Sequence, residues 1–309
     1  MRVASAIAAL AMIVLAGCGT SPASTPAADL SASLSSPSAP AAPGGTPTGD
    51  PRAAVPLPAT PTLRPARRLA AQIDQAERTI ADPASTNDAI RAAGAFQQLA
   101  SRMLAAAGAG ERHRVMSALT GRAASVLRSN IAAASGLNSL TAPEPRLPKN
   151  WRIIAPLPAH RLMGLYRSAQ HHTGVPWQYL AAINFVETKM GRIVGPSTAG
   201  AQGPMQFMPS TWKEYGDGGD IHDPHDAIPA AARLLAANGA PHDMAGALRA
   251  YNDSSYYVHA VTTYAQVMKR WPRSYRGYWS WRVLYKTTKG VYVLPVGYPK
   301  AHAVRLAAD

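Results

Sequence analysis

The segment from Tyr179 to Arg192 reads YLAAINFVETKMGR and sets one carboxyl, Glu187, at the end of an otherwise apolar run. Leu180, Ile183, Asn184 and Glu187 stand at offsets 0, 3, 4 and 7, so in a helix they share one face. Ala182, Phe185 and Val186 make the other faces apolar too, which is the pattern of a buried helix. A carboxyl buried there must be paired, hydrogen-bonded or protonated. The competing reading is a helix-end glutamate that faces solvent or pairs with Lys189 or Arg192.

After Glu187 the chain turns glycine-rich, GRIVGPSTAGAQGPMQFMPSTW from Gly191 to Trp212. Gly195, Gly200 and Gly203 permit close backbone approach. Gln206 both donates and accepts, as sugar amides and hydroxyls require, and Met205 and Met208 add adaptable apolar surface. Taken singly, each of these residues fits a packed loop; the ordered run is what singles them out.

Three blocks follow one another: Glu187-Thr188; then Ser197, Gly200-Ala201, Gly203, Met205-Gln206 and Met208-Pro209; then Ala250-Tyr251-Asn252. Together they resemble the soluble lytic transglycosylase family, whose fold is related to goose-type lysozymes. The resemblance covers roughly residues 151–271 and departs from the family pattern at Thr188, where serine is usual. It implies Glu187 as catalytic acid/base and a sugar groove lined by Thr188, Ser197, Gln206, Met208, Tyr251 and Asn252. Tyr251 is expected to orient the Glu187 carboxyl by a hydrogen bond. The implied reaction cleaves the β-1,4 bond between N-acetylmuramic acid and N-acetylglucosamine in peptidoglycan, leaving 1,6-anhydro ends, with no cofactor and no metal. A glutamate near apolar helices keeps its proton near neutral pH, as a general acid must. Most glycosidases use two carboxylates, and the three blocks hold one. The family's answer is assistance by the substrate's own N-acetyl group. The alternatives are a lysozyme-like hydrolase and a non-catalytic peptidoglycan-binding lipoprotein.

Two other clusters compete for chemistry. Asp217, Asp220, Asp223 and Asp226 recur every three residues, with His222 and His225 among them. A hydrolytic base, calcium or zinc are conceivable uses, but the spacing is not that of an EF-hand, and the plainer reading is a turn-rich loop that starts a helix. His171-His172 are adjacent, so on a helix they point about 100° apart and make a poor ligand pair.

The elements that must position Glu187 are mainly helical. The expected fold class is mainly α: a lysozyme-like helical catalytic domain, an N-terminal helical region and a small C-terminal β-hairpin. Helical spacing covers residues 160–172, the helix ending at Glu187, a short helix from Pro209, and then 228–237, 244–251 and 254–269. Upstream, 64–81, 86–107 and 112–134 show helical stripes, such as Leu69, Ile73, Ala76 and Ile80, with Gly108, Gly110 and Gly136 as stop signals. The expected units are residues 1–17 as a signal peptide, 18–61 as a tether, 62–136 as the helical region and 137–150 as a linker. The catalytic domain then covers 151–271 and an aromatic, basic extension 272–309. In that extension, strands at 282–285 and 290–295 frame a hairpin; its aromatics could stack on sugars or cap the catalytic domain.

Among 309 residues, Lys and Arg outnumber Asp and Glu by 31 to 17, a formal charge of +14. Such a balance favours polyanions. The basic residues are dispersed and no nucleic-acid module is present, so nucleic acid is not an expected partner. Peptidoglycan glycan strands and a membrane reached through an N-terminal lipid are; protein partners are unspecified. The single cysteine, Cys18, excludes an intrachain disulfide and a cysteine zinc site. It follows Leu15-Ala16-Gly17 after a short apolar run led by Arg2, which resembles the signal of bacterial lipoproteins, here of actinobacterial type. Cys18 is the expected lipidation site. Residues 20–61 are Ser, Thr, Ala, Pro and Gly with few bulky side chains, a composition that cannot bury a core. The expected location is extracytoplasmic, lipid-anchored to the cell membrane and facing the wall.

Overall fold

A computed structural model of the protein describes residues 60–140 and 142–306. The expected signal peptide, Cys18 and nearly all of the tether lie outside the described residues. Four helices come first: α1 (Ala66–Ala81), α2 (Asn87–Ala106), α3 (Ala109–Met116) and α4 (Gly121–Ser139). The α1 stripe of Leu69, Ile73, Ala76 and Ile80 is buried in one cluster with Phe96, Leu104 and Leu127. Thr86 starts α2 by accepting a hydrogen bond from the Ala89 N–H at 3.2 Å, an ordinary N-cap. The single helix expected over 112–134 is in fact two. Thr120 is extended (φ −133°, ψ 171°), which interrupts the ladder. The break lets Val115 and Leu119 reach the same cluster as Ala123 and Leu127. Gly108 precedes α3, whereas Gly110 and Gly136 lie inside helices rather than ending them.

Next come β1 (Arg152–Ile153), α5 (Ala159–Thr173), α6 (Trp177–Thr188), β2 (Ile193–Val194), α7 (Pro209–Tyr215), α8 (Pro224–Ala237), α9 (Met244–Tyr251) and α10 (Ser255–Arg270). Helix α6 lies at the centre, packed against α5, α8 and α10, and is apolar on every side. Antiparallel pairing of β1 with β2 clips the segment before α5 to the segment after α6. Helix α4 runs through Gly136, and Leu137 belongs to it rather than to a linker. The cost of one helical glycine is about 1 kcal/mol. Burial against α10 offsets it, because Val126, Ala133, Ala134 and Leu137 join the core formed by α5, α6, α8 and α10. The N-terminal helices and the helices around α6 therefore share packed surface.

The chain closes with α11 (Ser274–Trp279) and a three-stranded antiparallel sheet in the order β3 (Val283–Thr287), β4 (Gly290–Leu294), β5 (Val304–Arg305). The expected hairpin is present, with β3 starting one residue later and ending two residues later than its pattern suggested. Its sheet covers Trp151, Ile153 and Ile193. Tyr275, Tyr278 and Trp281 of the extension are core rather than sugar platforms, while Trp279 is half-buried. Phe185 of α6 meets Tyr278 at 5.1 Å and Trp281 at 5.2 Å between ring centroids, and Tyr264 of α10 at 4.9 Å.

Helix α11 is held between α1, α2 and α6. Buried polar groups are paired across this contact. Arg122 meets Glu77 at 3.1 Å and donates to Ser274 Oγ at 3.0 Å, and Gln97 also donates to Glu77. Trp281 Nε1 donates to Gln97 Oε1 at 2.9 Å, and the Tyr278 hydroxyl donates to Asn130 Oδ1 at 2.7 Å. The backbones approach closely at Gly94, where a Cβ would stand 2.6 Å from the Gly277 carbonyl oxygen.

Candidate active site

Glu187 occupies the last turn of α6 and is 3% exposed. The helix ends there because Lys189 (φ 52°) and Met190 (φ 64°) turn left-handed, a conformation that costs non-glycine residues about 1–2 kcal/mol each. Side chains compensate. The Thr188 hydroxyl accepts from the Gly191 N–H at 3.0 Å and donates to the Pro204 carbonyl at 2.6 Å. Asn184 Nδ2 donates to the same carbonyl at 2.8 Å, and its Oδ1 accepts from the Tyr166 hydroxyl at 2.6 Å. Thr188 is thus fully buried and spent on joining α6 to the glycine-rich loop. The expectation that it contacts sugar is corrected: its hydroxyl points inward because the turn after α6 needs a partner there.

The loop itself is a tight turn. Gln202 and Phe207 exchange backbone hydrogen bonds at 2.8 and 2.9 Å, with Gly203 (φ 75°) and Gln206 (φ 52°) bending the chain between them. No other residue fits at Gly203, since a Cβ would lie 1.8 Å from the Ile221 carbonyl oxygen. Ser197 braces the preceding turn, its Oγ accepting from the Ala201 N–H at 3.0 Å. Met208 is half-buried at the start of α7. Gln206 is 6% exposed; its Nε2 donates to the Gly203 carbonyl at 3.0 Å, while its Oε1 is buried without a partner among the described residues. A buried amide oxygen with no partner is unfavourable by about 1–3 kcal/mol.

Tyr251 does not take the expected position on the carboxyl. Its hydroxyl donates to the Met205 carbonyl at 2.6 Å and so fixes the loop, leaving Asn252 as the half-buried C-cap of α9. The tyrosine that meets Glu187 is Tyr257, in the first turn of α10 and fully buried. Ser254 caps that helix by accepting from the Tyr257 N–H at 3.3 Å, and the Tyr251 and Tyr257 rings stack at 6.3 Å. The Tyr257 hydroxyl is buried beside Glu187 and has no other hydrogen-bond partner among the described residues. Tyr257 was missed because its signal, a tyrosine one turn after an N-cap serine, is common in helices that do no chemistry.

Lys189 is the second residue the sequence reading passed over as a site member. Burial pulls its ammonium down to a pKa of about 7, against the opposing pull of Glu187. Nζ donates to the Phe185 carbonyl at 3.1 Å and sits 4.2 Å over the Phe185 ring. Burial pushes Glu187 up to about 8, with Tyr257 and the charge of Lys189 working the other way. No ion pair joins Glu187 to Lys189 or Arg192 among the described residues. Arg192 instead donates to the Trp279 and Trp281 carbonyls at 2.6 and 3.1 Å. At neutral pH Glu187 is therefore predominantly protonated, the form a general acid requires.

The acidic loop is occupied with its own backbone. Asp223 caps α8, accepting from the His225 N–H at 2.8 Å. Asp226 accepts from the Asp220 N–H at 2.9 Å, and Asp220 from the His222 N–H at 2.8 Å. His171 and His172 are exposed near the end of α5, their rings edge to face.

A buried carboxyl whose pKa is raised closes an apolar helix, with a tyrosine and a glycine-rich turn around it, within a mainly helical, lysozyme-like fold. Residues 164–271 match the family model of the Transglycosylase SLT domain. Searches among curated proteins and among solved structures returned no match. The matched region runs from within α5 to the end of α10 and contains Glu187, Lys189, Tyr251 and Tyr257.

Proposed function

We propose that the protein is a lytic transglycosylase that cuts the β-1,4 bond between N-acetylmuramic acid and N-acetylglucosamine and leaves 1,6-anhydromuramic ends. The observation that carries this reading is the burial of the Glu187 carboxyl at the end of α6 inside the matched region, which raises its pKa so that it can hold a proton near neutral pH. Tyr257, Lys189 and Tyr251 are the groups coupled electrostatically to it. Glu187 gives its proton to the leaving glycosidic oxygen. The substrate's N-acetyl oxygen shields the cationic anomeric carbon as the glycosidic bond breaks. The Glu187 carboxylate then takes the proton of the muramic 6-hydroxyl while that oxygen bonds to the anomeric carbon. The proton is regained, and water is not consumed. Tyr257 positions the carboxyl, and Lys189 stabilises its anionic form between the two half-reactions. The unpartnered Gln206 Oε1 suits a sugar amide N–H. Met208 and Asn252 complete the sugar-facing side, with Ser197 and Tyr251 holding the loop behind it.

The setting we propose is extracytoplasmic. Residues 1–17 are removed, Cys18 carries lipid, and a tether of some 40 residues, extended to about 130 Å at most, lets the enzyme reach the wall. Mass spectrometry of digested peptidoglycan tests the chemistry. The wild type is expected to yield anhydro ends and Glu187→Gln to lose at least a hundredfold in rate. Reducing ends from the wild type would make the enzyme a hydrolase, and undiminished turnover by Glu187→Gln would remove the carboxyl from the mechanism.

A further inference from the structure

A second concave site lies away from Glu187. It is a cavity of about 600 Å³ between α2, α5 and α11. Trp177, at the start of α6, lines it, whereas Glu187 ends the same helix, about 15 Å further along the axis. Only Arg167 and Trp177 of its lining fall within residues 164–271; the remainder comes from segments outside the matched family domain.

Its charge is one-sided. Arg91, Arg167, Arg273, Arg276 and His160 line it, and no acidic side chain does. Asp88, beside the lining residue Asn87, is held by Arg91. Arg167 is exposed and has no ion-pair partner among the described residues. Arg276 donates to Asn87 Oδ1 at 2.6 Å and Arg273 to the Asp82 carbonyl at 2.7 Å, both neutral acceptors. Arg273 Nε is buried without a partner. The two guanidiniums repel each other: burial first, then the charge of Arg273, lower the pKa of Arg276. Neighbouring arginines that meet only neutral oxygens are positioned to take a carboxylate or phosphate bidentately. The floor is apolar, made of Ile90, Met163, Pro156, Pro158 and the ring of Trp279. A ligand that satisfies both features carries an anionic group next to small aliphatic groups, which a bare phosphodiester chain does not.

We infer that this cavity binds the carboxylate-bearing peptide stems of peptidoglycan, as a recognition site separate from the glycan-cleaving one. The inference rests on the wall-acting reading above for the identity of its ligand. Stem peptides combine free carboxylates with alanine methyl groups, which matches the arginine rim over the apolar floor. Bound there, a stem would hold a glycan strand to the enzyme without touching the reacting bond.

Calorimetric titration of Glu187→Gln protein with sugar-free stem tetrapeptide tests this directly, with inorganic phosphate and a glycerol-phosphate polymer as separate arms. Saturable peptide binding is expected, weakened at least tenfold by Arg167→Glu and by the double change Arg167→Gln with Arg276→Gln. Arg167 is exposed, so Arg167→Glu should keep the wild-type circular dichroism spectrum and melting temperature. In the otherwise wild-type enzyme, Arg167→Glu should slow digestion of intact peptidoglycan while leaving cleavage of peptide-free glycan strands unchanged. Absent peptide binding, equal binding by both variants, or stronger binding of the phosphate polymer would each overturn the inference. If wild-type protein cleaves neither glycan but the peptide result holds, the proposed reaction fails and the peptide site stands.

Discussion

Glu187 and Lys189 are two residues apart, both buried, and each shifts the other toward charge. Desolvation still dominates for both, so the carboxyl keeps its proton and the lysine gives up much of its charge. The proposed acid step needs protonated Glu187. Activity in kcat/KM is therefore expected to fall as pH rises through about 8, the pKa burial imposes on this group. Lys189→Met removes a charge that lowers the carboxyl pKa. Its alkaline limb should move to higher pH, and its rate at the optimum should fall because the carboxylate formed in mid-reaction loses a stabilising partner. A pH–rate profile of the two proteins on glycan strands checks this; a limb that stays in place would remove Lys189 from the electrostatics of the site. Period and apolar context left Glu187 open between a buried carboxyl and a helix-end group, and the ordered glycine-rich block with Tyr251-Asn252 singled it out. The sequence could not separate Tyr251 from Tyr257, because which hydroxyl meets the carboxyl depends on how α9 and α10 cross behind the loop.

At the scale of elements, the loop from Gly191 to Met208 is set by hydrogen bonds from α6 rather than by its own propensity. Asn184 and Thr188 both reach the Pro204 carbonyl, and Thr188 also accepts from the Gly191 N–H. Thr188→Val keeps shape and β-branching but leaves the Gly191 N–H without its acceptor. A loss of about 1–3 kcal/mol is expected in urea unfolding, together with a lower kcat as Gln206 and the turn below it loosen. Thr188→Ser keeps the hydroxyl and should lie close to wild type. The sequence showed a serine-like position next to Glu187, and a sugar contact was the natural expectation. Its hydroxyl turns inward because the left-handed residues after α6 leave backbone groups that something must satisfy.

Over the whole molecule, the N-terminal helices and the C-terminal extension brace α6 from one side. Phe185 packs against Tyr278 at a tilt and against Trp281 edge to face, and α11 in turn rests on α1 and α2. Gly94 is where the two parts come close. Helix propensity alone predicts that Gly94→Ala stabilises by about 1 kcal/mol. The new Cβ would stand 2.6 Å from a backbone oxygen and 2.7 Å from Ser280 Cβ, so helices must separate. Overpacking of this kind costs about 1–3 kcal/mol. The net effect is expected to be a lower melting temperature, read by scanning calorimetry, and a stabilised variant would show that the contact yields freely.

The order of helices, the helix ending at Glu187, the glycine-rich turn and the hairpin were all legible in the chain, because each is written in local period, caps and turn residues. The break between α3 and α4 was not, since both sides carry the same apolar stripe and only the shared cluster decides where the ladder stops. Nor could local pattern show that Tyr275, Tyr278 and Trp281 are core, that Thr188 faces inward, or that five basic side chains from three distant segments meet in one cavity. Those outcomes depend on which faces meet across the fold, and residue types alone leave that open. The sequence by itself determined that a lone carboxyl ends an apolar helix; the tertiary structure decided its protonation, since burial and the approach of Tyr257 and Lys189 set the pKa.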